Sequence, residues 1–144
     1  MDAPAPAIQI LARRLIALEV AREPSVGHIS AALRTCDKLR VPLSKVAGAG
    51  GYRSLMARAL ALATAEVPGL KSVLIKPDGS LEGFDEAMFH GDSVLDVDPG
   101  VVVVTQLLGL LVTFIGEPLT LRFVRDAWPN ASLDAMDAGS EERL

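Results

Sequence analysis

Two histidines, one cysteine and a scatter of acids are all that this chain offers toward a catalytic or metal centre. His28 precedes an apolar-periodic stretch and His90 stands among acids. Neither occurs in a His-x-x-x-His or Cys-x-x-Cys spacing that would hold a transition metal. Asp92, Asp96 and Asp98 lack the alternating positions and closing glutamate of a calcium-binding EF-hand loop, and read as solvated carboxylates. Cys36 falls in helical register with Ile29, Ala32 and Leu33, which marks a small buried hydrophobe rather than a reactive thiol. His90 has Asp85 and Glu86 near it in sequence, so it is the one candidate acid/base group, although loop histidines without a chemical role are common. No nucleophile elbow, P-loop or dinucleotide-binding glycine fingerprint occurs. The sequence therefore assigns no catalytic residue, no metal and no cofactor.

One segment has a ligand-like mechanism. Gly48, Gly50 and Gly51 precede a helical pattern that begins at Tyr52. Unpaired backbone N–H groups and the helix dipole at such a start attract anions, and Arg53 could reach back to them. On this reading Gly48, Gly50, Gly51, Tyr52 and Arg53 border an anionic small-ligand sensor or an enzyme, with His28 or His90 converging from elsewhere. The competing reading is a hinge between packed helices, because no strand precedes the glycines and no Lys-Ser/Thr pair follows them.

The same stretch, Leu43-Ser44-Lys45-Val46-Ala47 followed by Gly50-Gly51 and Tyr52 to Leu60, resembles the helix-turn-helix of LacI-type repressors over about eighteen residues, with Ala47 and Gly51 at the alanine and turn-glycine positions. That resemblance implies a DNA-binding regulator over 43–60. Lys45, Arg53 and Arg58 would then supply phosphate contacts, which weaken with salt as counterions are released. The acidic charge of the chain and its scarcity of aromatics set nucleic acid as a minor expectation.

The formal net charge of −4 conceals two halves of opposite sign. Met1 to Lys76 carries 11 basic and 5 acidic residues, whereas Pro77 to Leu144 carries 3 basic and 13 acidic ones. The halves attract at long range, either within one molecule or between a basic face and an acidic partner or second copy.

Which elements would position these residues follows from periodicity. After a Pro/Ala-rich leader, Ile8, Leu11, Leu15 and Leu18 recur at helical spacing with Ala12 and Ile16 beside them, while Arg13, Arg14 and Glu19 fall on other faces. Glu23-Pro24 ends that helix. A second, capped by Ser25, carries Ile29, Ala32, Leu33, Cys36 and Leu39 and is expected to end at Pro42, with Leu43 to Ala47 as one further turn. A third spans about Tyr52 to Glu66, with Leu55, Met56, Ala59, Leu62 and Ala63 inward and Arg53 and Arg58 outward. Val73-Leu74-Ile75, a Lys76-Pro77-Asp78-Gly79-Ser80 turn and Leu81 to Phe84 predict a β-hairpin at about 72–84. Two strands alone are marginal in water, so the hairpin must lean on helices or pair with another copy. Asp98-Pro99 starts a helix to Ile115 that is apolar on nearly every side and so belongs at the centre of the fold or in an oligomer interface. A last helix runs from Leu119 to Trp128.

The chain thus reads as mainly α, about five helices, with one β-hairpin, possible as α+β. A flexible leader (1–7), a single globular domain (8–129) and a flexible acidic tail (130–144) make up its organisation. Half of the residues are apolar, yet the longest apolar run, Val101 to Ile115, contains Thr105, Gln106 and Thr113 and is shorter than the ~20 residues of a membrane span. The first residues carry no basic stretch before an apolar one, and the single cysteine suits a reducing compartment, so a cytoplasmic setting without membrane contact is expected. The expected function is a non-enzymatic helical interaction or regulatory module that binds a protein partner or a second copy of itself. Leu107, Leu111, Phe114 and Trp128 are its expected interface residues.

Overall fold

In the computed structural model of the chain, the stripe Ile8, Leu11, Ala12, Leu15 and Ile16 is the buried face of the first helix, α1 (Pro6–Arg22). Residues 6–22, 27–77, 79–83 and 99–129 are described, without the side chains of Pro6 and of residues 27–30. The 130–144 tail, the Asp85 to Asp98 acids, His90, the Ser25 cap and the side chain of His28 lie outside them. Glu19 extends the stripe of α1 by one further turn and is 1% exposed, against the expectation that it faces solvent. It follows Leu15 by four residues and Ile16 by three, which places it on the same helix face.

Helix α2 (Gly27–Glu66) is forty residues long, with Pro42 inside it. Pro42 therefore does not end the helix as expected. A proline costs the i→i−4 bond to the Lys38 carbonyl and crowds the preceding turn. Here Leu39 and Leu43, both fully buried, hold the helix on either side of it. The actual break is Gly48, whose φ of 81° and ψ of 164° only glycine adopts readily. Two arms of α2 meet at this one residue, so the second helix, the extra turn and the third helix of the sequence pattern form one interrupted rod. Four helices result among the described residues.

After a 3₁₀ turn (Pro68–Ser72) that buries Leu70, strands β1 (Leu74–Ile75) and β2 (Leu81–Glu82) pair antiparallel, Leu74 with Glu82 and Ile75 with Leu81. The turn is closed by the Gly79 N–H donating to the Lys76 carbonyl and the Lys76 N–H donating to the Ser80 carbonyl. The fold is mainly α with one hairpin, as the periodicity predicts. The hairpin gains its support from a helix of its own chain. Gly79 (φ 91°) lies so close to α2 that a Cβ there would come within 2.8 Å of the Tyr52 ring, and Arg53 Nε donates to the Lys76 carbonyl at 3.3 Å.

Helix α3 (Pro99–Ile115) packs against α1, α2 and α4 (Glu117–Ala127). It is buried without interruption from Gly100 to Leu108 and again at Leu111. Removing each of these large aliphatic side chains from water contributes about 1.5–3 kcal/mol, which makes α3 the apolar axis of the fold. Its buried Gln106 amide donates to Glu66 Oε2 at 2.7 Å and so keeps its polar end satisfied. The last turn of α3 differs, since Phe114 is 60% exposed. Gly116 (φ 93°) then turns the chain, and its carbonyl accepts from the Thr120 hydroxyl at 2.8 Å in the first turn of α4. No helix among the described residues is long and apolar enough to cross a membrane.

Candidate functional site

Lysines seven residues apart on one face of α2, Lys38 and Lys45, have opposite surroundings. Lys38 Nζ forms an ion pair with Glu19 Oε2 at 2.6 Å, and the same oxygen accepts from the Trp128 indole N–H at 2.7 Å. The ammonium also lies 5.3 Å from the centre of the Trp128 ring, within cation–π range. Three elements meet here: α1 supplies the carboxylate, α2 the ammonium, and the residue capping α4 the indole. Burial pushes the Glu19 carboxyl upward, but the Lys38 and Trp128 contacts and the charges of Lys38 and Arg22 outweigh it and hold Glu19 below the ordinary carboxylate range.

Beyond this junction, α2 and α4 face each other. Between them lies a groove of about 580 Å³, lined on the α2 wall by Lys38, Val41, Pro42, Lys45 and Val46 and on the α4 wall by Leu119, Arg122, Phe123, Asp126 and Ala127. Each wall has the spacing i, i+3, i+4, i+7, i+8, which is one face of a helix over rather more than two turns. Val41 and Val46 are both 55% exposed, and Lys45 and Arg122 are exposed on opposite walls. The groove mixes apolar and charged residues: each wall carries one exposed cation, the α4 wall also carries Asp126, and a third cation, Lys38, is neutralised by Glu19 at the junction end.

The glycine segment has a different character. Gly48 and Gly50 are exposed with open space around them, while a Cβ on Gly51 would stand 2.6 Å from that of Ala47. Tyr52 is buried beneath Gly79, with its hydroxyl 3.5 Å from the Cys36 carbonyl, and Arg53 is engaged with the hairpin. Gly48 and Gly50 thus remain open, whereas Gly51 is crowded by Ala47, and Tyr52 and Arg53 are committed to supporting the hairpin. A cavity of only about 150 Å³ lies on that side, among Leu33, Cys36, Asp37, Tyr52, Met56 and the hairpin tip. Cys36 beside it is fully buried, and burial, with a smaller push from the charge of Asp37, raises its thiol to about 12. It is a protonated thiol at neutral pH.

Of the residues with a DNA-binding expectation, Lys45, Arg53 and Arg58 are all exposed. Arg53 and Arg58 are five residues apart and project about 140° from each other around the helix, and Arg53 is already engaged with the Lys76 carbonyl of the hairpin. Of the expected interface residues, Leu107 and Leu111 are fully buried in the core around α3 and Trp128 is buried on Glu19, whereas Phe114 is exposed. Among the described residues no three His, Cys, Asp or Glu side chains gather to hold a metal ion.

Sequence reasoning did not single out the groove or the junction. Their signal was present as spacing: Lys38/Val41/Pro42/Lys45/Val46 is one helical face once Pro42 is allowed inside a helix, and Leu119/Arg122/Phe123/Asp126/Ala127 is its counterpart. No protein-family model, curated protein or solved structure matches the chain.

Proposed function

We propose that the chain is a non-enzymatic protein-interaction module of regulatory kind, working in a cytoplasmic setting, and that the groove between α2 and α4 is its docking surface. The observation that carries this reading is the pair of exposed valines, Val41 and Val46, facing Leu119, Phe123 and Ala127 along matched helical walls. Exposed apolar side chains gathered in a groove mark interaction sites, and two helical walls offer ridges into which a third helix can pack. A second copy of the chain is one candidate occupant, and the exposed Phe114 is a separate apolar contact available for self-association.

Peptide-display selection against the full chain, beside sedimentation across a wide concentration range, tests the reading. Enriched peptides, or a mass rising above 15.2 kDa, are expected, and both should be lost in Val46→Asp, a substitution at an exposed position that leaves the circular dichroism unchanged. A chain that stays at 15.2 kDa and enriches no peptide has no such docking surface.

A further inference from the structure

The groove has a charge pattern as well as an apolar lining. Lys45 stands exposed on the α2 wall, between Val41 and Val46 around the helix, and Arg122 stands exposed on the α4 wall, so each wall of the trough carries one exposed cation. Lys38 adds little to the field because Glu19 neutralises it at 2.6 Å, and Asp126 is the one acid lining the trough. Each wall presents eight or nine residues of helix, about 12–14 Å of length at the helical rise. An amphipathic helix with an apolar stripe and acids on both flanks meets both cations while its stripe covers the valines.

On the reading that this groove is the docking surface, we infer that its occupant is an amphipathic helix of a partner protein, with acidic residues on both sides of its apolar stripe. Burial of Val41 and Val46 supplies the affinity, while Lys45 and Arg122 set the sign of the partner and speed its arrival. Charge preference of this kind is expressed between exposed groups, so it fades as salt screens it.

Two capped, fluorescein-labelled peptides test the assignment. Both carry leucines at i, i+3, i+4 and i+7; one has glutamates on both flanks of that stripe and the other has lysines there. Anisotropy titration against the full chain at low salt is expected to show the glutamate peptide binding roughly tenfold more tightly, a difference of about 1.4 kcal/mol. The preference should shrink at high salt and reverse in the Lys45→Glu/Arg122→Glu double variant, whose two substitutions lie at exposed positions. Binding of either peptide should quench or shift the fluorescence of Trp128, the single tryptophan, which contacts Lys38 at the end of the groove. Equal binding of both peptides, or tighter binding of the lysine peptide, overturns the acidic-helix assignment and leaves the groove as a docking surface. Binding of neither peptide, with Val46→Asp indistinguishable from wild type in every assay, overturns both. A peptide-free chain that doubles in mass, and stops doing so in Val46→Asp, makes a second copy the occupant and overturns the partner assignment.

Discussion

Lys38 and Lys45 are the same residue type on the same face of the same helix, one removed from solvent at its ammonium and the other in it. At the junction, the chain surrounds an ammonium with a carboxylate and an indole, and the three groups hold α1, α2 and the end of α4 in one arrangement. Two turns further on, Lys45 lines the groove and is exposed. A charge enclosed by its own fold is a structural commitment, because neither member of the pair can be removed without stranding the other. A charge left at the rim of an apolar groove costs the fold almost nothing and remains available to a partner.

The sharpest way to break this contrast is to make one substitution at both positions. Lys38→Met should cost about 3 kcal/mol of stability, since it leaves Glu19 buried with only the Trp128 N–H to satisfy it. The midpoint of urea unfolding followed by circular dichroism measures it, and an unchanged midpoint would show that the pair is incidental. Trp128→Phe keeps an aromatic ring near Lys38 but removes the donor to Glu19, and about 2 kcal/mol should be lost in the same experiment.

Acidification probes the junction without mutation. Glu19 gives up its proton more readily in the folded chain than in the unfolded one, so the folded state binds fewer protons. The stabilisation is complete above the ordinary value of 4.5 and is lost as the pH falls through the lower folded-state value. Glu19→Gln should remove that part of the acid sensitivity, read as a shallower fall in melting temperature below pH 4.5, and an identical acid limb in both proteins would count against the pair. Lys45→Met is the smallest effect expected, within about 0.5 kcal/mol of wild type in unfolding, with any change confined to peptide binding. A loss comparable to that of Lys38→Met would erase the distinction between the two sites.

Much of the fold was legible in the residues, because periodicity reports which face of a helix is wet. The stripe of α1, Met56, Ala59 and Ala63 of the expected inward set, the Pro77–Gly79 turn and the central helix α3 followed from spacing and turn chemistry, whereas Leu62 of that set is 38% exposed and Leu55 half-buried. Pro42 was misread because local rules score the bond a proline removes but not the buried leucines that hold the helix around it. Glu19 was misread for a related reason: charge argues for solvent, and only the distant Lys38 and Trp128 make burial tolerable. The groove escaped notice because a docking surface is a relation between two helices seventy or more residues apart, and neither helix carries an unusual motif of its own.

The Gly48 break carries a consequence for the length of the chain as well as its shape. The arm before it carries the groove wall, and the arm after it carries Tyr52, on which the hairpin rests. Because only one residue separates the arms, they are keyed to each other in rotation. Adding a single helical residue between Gly48 and Tyr52 would turn the later arm by about 100° and advance it by about 1.5 Å relative to the break. Either the groove wall or the hairpin seat would then face the wrong way. Ordinary surface glycine runs tolerate changes in length, whereas this one acts as a phase setting: its side chains are replaceable at the exposed Ala49, but the number of its residues is not.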